Sequence, residues 1–209
     1  MKNVFEKSDL SIVPRWTDNI DDKWINPFIT QTCQIAFRDS ISTTLYDAIA
    51  TLVEPILAGT QGNAWTAPTT YSSGVSVLYN GIYYISNASV SPNENPPSSN
   101  AKWDVSEKLN FWSEFMKPYL VYACYKSFII WHGKHISQGG IRKHTDNTSF
   151  EVDAENLAVL INDLKGYISV KETQMMNTLN RVAYTFDSIV YAENNYTKRS
   201  SVGIKIWDV

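Results

Sequence analysis

Residues 109–132, LNFWSEFMKPYLVYACYKSFIIWH, decide how the rest of this chain must fold. Leu109, Trp112, Phe115, Met116, Tyr119, Tyr122, Ala123, Ile129 and Ile130 recur near the 3.6-residue period of an α-helix. Phe111, Leu120, Val121, Tyr125, Phe128 and Trp131 carry the apolar surface beyond one face. A helix so apolar needs more than one neighbour, which predicts the central rod of a helical core or of an oligomer. Glu114, Lys117, Lys126 and Lys134 interrupt the run. Its longest uninterrupted apolar part is shorter than the about 20 residues that a bilayer requires, so the helix reads as buried rather than transmembrane. Pro118 falls inside it, where a missing N–H and a ring clash cost about 3 kcal/mol and predict a kink.

Composition sets the outer bounds. With 209 residues, 44% hydrophobic and 19% charged, the chain has room for one or two globular domains. A net charge of −3 gives no global basic surface of the kind nucleic-acid binders carry. Cys33 and Cys124 sit in apolar helical patterns without a CxxC or Cys/His cluster, which predicts reduced core residues and intracellular assembly. The opening MKNVFEKSDLSIV lacks the apolar run and cleavage site of a signal peptide.

Outward from the central stretch, residues 1–22 predict an extended arm with an apolar patch at Leu10, Ile12, Val13 and Trp16. The acidic turn Asp18, Asn19, Asp21, Asp22 suits a helix start, since carboxylates there complement the dipole. Trp24, Ile25, Phe28, Ile29, Thr32, Ile35 and Ala36 predict a first helix over about 24–39, with Pro27 tolerated near its start. After a break at Asp39-Ser40-Ile41-Ser42, Leu45, Ile49, Leu52, Val53 and Ile56 predict a second helix over about 43–57.

From Gly59 the texture changes. Residues 60–105 are rich in Ser, Thr, Asn, Pro and Gly with aromatics at short intervals: Trp65, Tyr71, Tyr79, Tyr83, Tyr84 and Trp103. Val75, Val77, Tyr79 and then Tyr83, Ile85 alternate around Asn80-Gly81, which is the strongest hairpin signal a short sequence offers. This predicts a small β module inserted between helices, with Ser106 capping the helix that resumes. Beyond the central helix and the Gly139-Gly140 break, 141–151 reads as a long polar loop or a strand pair, carrying Arg142 and Lys143. After the candidate cap Asp153, Leu157, Leu160, Leu164, Ile168, Met175, Leu179 and Phe186 predict a last helix, either continuous or divided at Gly166 or the run near Val170. The tail 198–209 alternates Val202, Ile204 and Ile206 and carries Trp207, the pattern of a strand that pairs outside its own neighbourhood.

Little here argues for catalysis. His132 and His135 could share a helix face, but a metal would need a third ligand such as His144 or Asp146, and histidines at a helix end beside Lys134 are more often solvated. There is no nucleophile elbow, phosphate-cradling glycine loop or isolated carboxylate pair. No cofactor is expected. The aromatics of the β segment suit two roles, a stacking platform for sugar rings or the core of a module too small to bury much else.

Residues 64–104 resemble a family 5/12 carbohydrate-binding (chitin-binding type 3) module, through Trp65, Tyr71, Gly74, Val77, Tyr79, Asn80-Gly81, Tyr84, Pro96-Pro97 and Trp103 in order. Where sugar-binding members carry an exposed aromatic pair after the Tyr84 strand, this chain reads Ser86-Asn87-Ala88-Ser89. The helical remainder, in DNIDDKWINPFITQTCQIAFRDSISTTLYDAI, EKLNFWSEFMKPYLVYACY and the Gly139-Gly140 loop, resembles the head-to-tail connector (adaptor, head-completion) proteins of tailed bacteriophages, closest to the crAss-like and Bacteroides type.

The resemblance implies a mainly α helical bundle of connector type with a small inserted all-β module. Residues 1–58 and 106–197 would form the discontinuous helical domain, 60–105 the insert and 198–209 an extended arm. It further implies a virion structural protein at the head-tail interface, assembled in the bacterial cytoplasm. There it would form a ring, typically of twelve copies, below the portal, touching the portal protein, the next tail or ring protein and the passing DNA, with no membrane. Trp16, Arg142, Lys143, Ile204, Ile206 and Trp207 are the expected assembly contacts. The alternative is a glycan-binding protein whose helices only oligomerise.

Overall fold

The computed structural model describes residues 2–13, 16, 20–41, 43–98, 101–138 and 154–179. The calls on Arg142, Lys143, His144, the Gly139-Gly140 loop, Asp153, Phe186, Ile204, Ile206 and Trp207 lie outside the described residues. What is described is mainly helical with one three-stranded antiparallel sheet.

The central stretch is helical from end to end. Ser106 caps it by accepting the Leu109 N–H at 3.4 Å. Helix α4 (Glu107–Phe111) passes through a π-helical turn, Trp112–Met116, into α5 (Lys117–Gln138). In that turn the Lys117 N–H donates to the Trp112 carbonyl. Pro118 follows at once and offers no N–H to the carbonyl of Glu114, so the widened turn is where the helix accommodates the proline.

Burial of this rod comes from all sides and from within one chain. Helix α1 (Asp22–Thr30) brings Phe28 edge-on to Phe128 at 5.6 Å between ring centres. A second π-helical turn, Gln31–Phe37, sets Phe37 against Tyr119 at 5.4 Å. Helix α6 (Ala154–Leu179) lies along another side, where Tyr167 stacks on Tyr122 at 5.5 Å. Leu164, Ile168 and Met175 of α6 close the core there.

Two expectations change, and one open alternative is decided. The first helix runs from Asp22 to Ile41 as α1, the π-helical turn and α2 (Arg38–Ile41), passing the expected break at Asp39. The short helix α3 (Thr43–Leu57) then follows as expected. Helix α6 continues unbroken across Gly166 and Val170, because a single glycine costs only about 1 kcal/mol in a helix whose apolar face is buried.

The second change is the N-terminal arm. Lys7–Ile12 form a 3-10 helix, and Val4, Phe5, Leu10 and Val13 are buried in the main core. Their backbone is held too: the Trp112 indole N–H donates to the Val4 carbonyl at 2.7 Å, and the Tyr46 hydroxyl donates to the Lys2 carbonyl at 2.9 Å. Lys117 reaches Asp9 at 3.1 Å while lying over the Trp112 ring at 4.7 Å. This segment is part of the core, not a free arm.

Trp112→Ala removes a fully enclosed ring and leaves the Val4 carbonyl unpaired. The expected loss is about 3–5 kcal/mol, read as a lower denaturant midpoint in chemical unfolding.

Candidate functional site

The β module packs on the helices. Strand β1 (Ser76–Tyr79) pairs with β2 (Ile82–Ser86), and β2 with β3 (Trp103–Val105), in the order β1-β2-β3. The hairpin is the expected one. Asn80 and Gly81 both take positive φ, 50° and 80°, as a type I′ turn demands.

Alternation then divides the sheet into two faces. Tyr83, Ile85 and Leu78 turn toward the helices and join the main core, where the Tyr83 ring meets Trp112 at 6.1 Å. Asn110 of α4 clamps the same strand. Its Oδ1 accepts the Tyr83 N–H at 2.7 Å and its Nδ2 donates to the Tyr83 carbonyl at 3.1 Å, as a neighbouring strand would. At the other junction, Gly62 passes so close to Ile56 of α3 that a Cβ would stand 2.8 Å from Ile56. The module is tied to the helices at both ends of its sequence.

The opposite face carries a second, small core of Val77, Val90 and Trp103, flanked by Trp65, Tyr71, Val75 and Tyr84. Tyr71 meets Trp103 edge-on at 5.5 Å, and Trp65 meets Tyr79 edge-on at 5.6 Å. The Trp103 indole N–H donates to the Glu94 carbonyl at 3.1 Å, and Lys102 pairs with the Glu94 carboxylate, holding its pKa below the usual range. Of the six aromatics singled out in the sequence, Tyr83 and Trp103 are therefore enclosed. Trp65, Tyr71, Tyr79 and Tyr84 remain half-buried.

Trp16 packs edge-on to Tyr125 at 5.8 Å. Among the described residues the exposed large apolar groups lie elsewhere: Ile12 and Trp24 on the N-terminal side, Val159, Tyr167 and Val170 on α6, and Ile82 and Val105 on the sheet. Sequence reading did not single these seven out as exposed, because each sits in a helix or strand that also carries buried apolar residues.

The titratable groups of the core are silent. Burial pushes the Cys33 thiol up to about 11 and raises that of Cys124. Burial likewise lifts Tyr119 to about 12. His132 and His135 lie in α5, and among the described residues no group of three or more His, Cys, Asp or Glu is placed to hold a metal ion. Nor is any described helix long and apolar enough to cross a membrane. Compared with protein-family models, curated proteins and solved structures, the chain matches none.

Two predictions test this arrangement. In native protein at pH 8 neither thiol should react with a disulfide reagent, while denaturant should release both, because each is buried and its thiolate disfavoured. Asn110→Ala leaves the Tyr83 N–H without its acceptor. It should cost about 1–3 kcal/mol and raise hydrogen exchange in β2 before the helices.

Proposed function

We propose that this chain is a structural protein of a tailed-phage virion, a ring below the portal that joins capsid to tail and lets DNA pass through its centre. The observation that carries the reading is the placement of its exposed apolar side chains. Trp24 is 50% exposed on α1, whereas Val159 and Val170 are 55% and 56% exposed on α6. The two helices both pack on α5, so one chain offers two unlike apolar surfaces. Unlike surfaces that fit one another make a head-to-tail contact, and such contacts close into rings when the rotation permits.

The case for assembly rests on these peripheral groups and not on α5, whose apolar surface is satisfied within the chain. A net charge of −3 suits a channel wall that DNA must slide past without being gripped. The portal protein and the next ring or tail protein are the proposed neighbours, in the virion at the head-tail interface.

The β module serves this reading as a brace. Two of its six aromatics, Tyr83 and Trp103, fill cores, and the Ser86-Asn87-Ala88-Ser89 stretch offers no ring for a sugar to stack on.

Native mass spectrometry of the purified chain, alone and with a portal protein, is expected to show a closed ring in at least one condition. A monomer in both overturns the reading. Titration with chitin oligosaccharides is expected to leave tryptophan fluorescence unchanged; quenching that Trp65→Ala abolishes would favour the glycan-binding alternative.

A further inference from the structure

The sheet has one edge closed and one edge open. Along β1 the segment after α3 supplies a cover: Gly62 donates to the Ser76 carbonyl at 2.8 Å, Trp65 donates to the Leu78 carbonyl at 2.9 Å, and Leu78 donates to the Asn63 carbonyl at 2.9 Å. Strand β3 has no such cover among the described residues. Its ladder with β2 uses the Lys102 carbonyl, which accepts from Asn87 at 3.0 Å, and the Ser106 N–H, which donates to Tyr83 at 2.9 Å. Asp104 is the residue opposite Ile85 between them. Antiparallel alternation therefore turns the backbone N–H and C=O of Trp103 and Val105 outward. The Val105 side chain beside them is 55% exposed, next to Ile82 at 42%. An unpaired edge with apolar side chains is a template for another strand.

We propose that this edge receives residues 202–206 of a second copy of the chain as an added strand. The inference rests on the ring reading and names one of its contacts. Three observations select this occupant. The segment Val202-Gly203-Ile204-Lys205-Ile206 has the period-2 pattern that an edge accepts. Charge fits in the same register: if Ile204 lies beside Val105, Lys205 lies beside Asp104, which is exposed and carries a single side-chain hydrogen bond, from Asn87 at 3.2 Å.

The third observation is where the described chain ends. Tyr122 stacks on Tyr167 while Tyr119 feels the charge of Glu172, so α6 runs antiparallel to α5 and returns toward the π-helical turn Trp112–Met116. Leu179 thus lies at the end of the bundle that bears the sheet. From there to Val202 the sequence is long enough, at up to roughly 3.3 Å per residue, to cross to a neighbour. In a ring every copy stands at the same height, so the next copy's sheet lies at the level of Leu179. Donor and acceptor are different surfaces of one chain, as a head-to-tail contact requires.

The test uses full-length chains with two different tags, one carrying Val105→Cys and the other Ile204→Cys, mixed and oxidised under mild conditions. Both native cysteines are buried and stay out of the reaction. A disulfide joining the two tags is expected, with none formed when Thr51→Cys, exposed on α3, replaces Val105→Cys. Val105→Pro removes only the outward N–H and should weaken association about tenfold while leaving the circular dichroism of the monomer unchanged. No cross-link in a ring of normal mass overturns the proposal and leaves the ring reading standing. So does a disulfide confined to single chains carrying both substitutions, which would place the tail on its own sheet. A monomer at every concentration removes both.

Discussion

Everything in this structure answers to one constraint, a helix running from Glu107 to Gln138 that is apolar on nearly every side. No single partner can cover such a surface, because one neighbouring helix buries only one stripe. The chain therefore surrounds it. Helices α1 and α6 take two sides, the π-helical turn Gln31–Phe37 another, the N-terminal residues Val4 and Phe5 fill the gap around Trp112, and the β sheet closes the last with Tyr83. Trp112 lies where these elements meet. Its indole N–H is satisfied by the Val4 carbonyl, and a buried indole without an acceptor would cost the core more than its ring contributes to specificity.

The same constraint explains the place of the β module. Inserted between α3 and α4, it could have hung from two strands of loop. Instead its sheet has one face with an apolar set, Leu78, Tyr83 and Ile85, that helps enclose the central helix, and a second face with its own core around Trp103. Asn110 joins the two parts by pairing with the backbone of Tyr83 in both directions. A module fixed in this way adds bulk and a sheet edge to the bundle at a defined place.

Prolines inside helices and apolar groups outside the core are both tolerated by this fold. Pro118 is absorbed by a widened turn, and Pro27 and Pro55 lie inside helices whose buried faces outweigh the lost hydrogen bond. Among the described residues, what is left outside the core is scattered: Trp24 and Ile12, Val159, Tyr167 and Val170, Ile82 and Val105. The polar residues around them keep each group small.

Periodicity and local chemistry by themselves determined much of this protein. The central helix, its cap at Ser106, the hairpin at Asn80-Gly81, the second helix and the buried state of both cysteines follow from residues close together in the sequence, whose preferences no distant contact had to overrule. Tertiary structure decided the rest. Whether Asp39 ends a helix, whether Gly166 divides one, and whether Val4 and Phe5 form an arm or a core depend on how much apolar surface the finished bundle buries against them, which no local window contains. Which face of a pleated strand meets the helices is a matter of register, and register set Tyr83 and Trp103 on opposite sides, each inside a core.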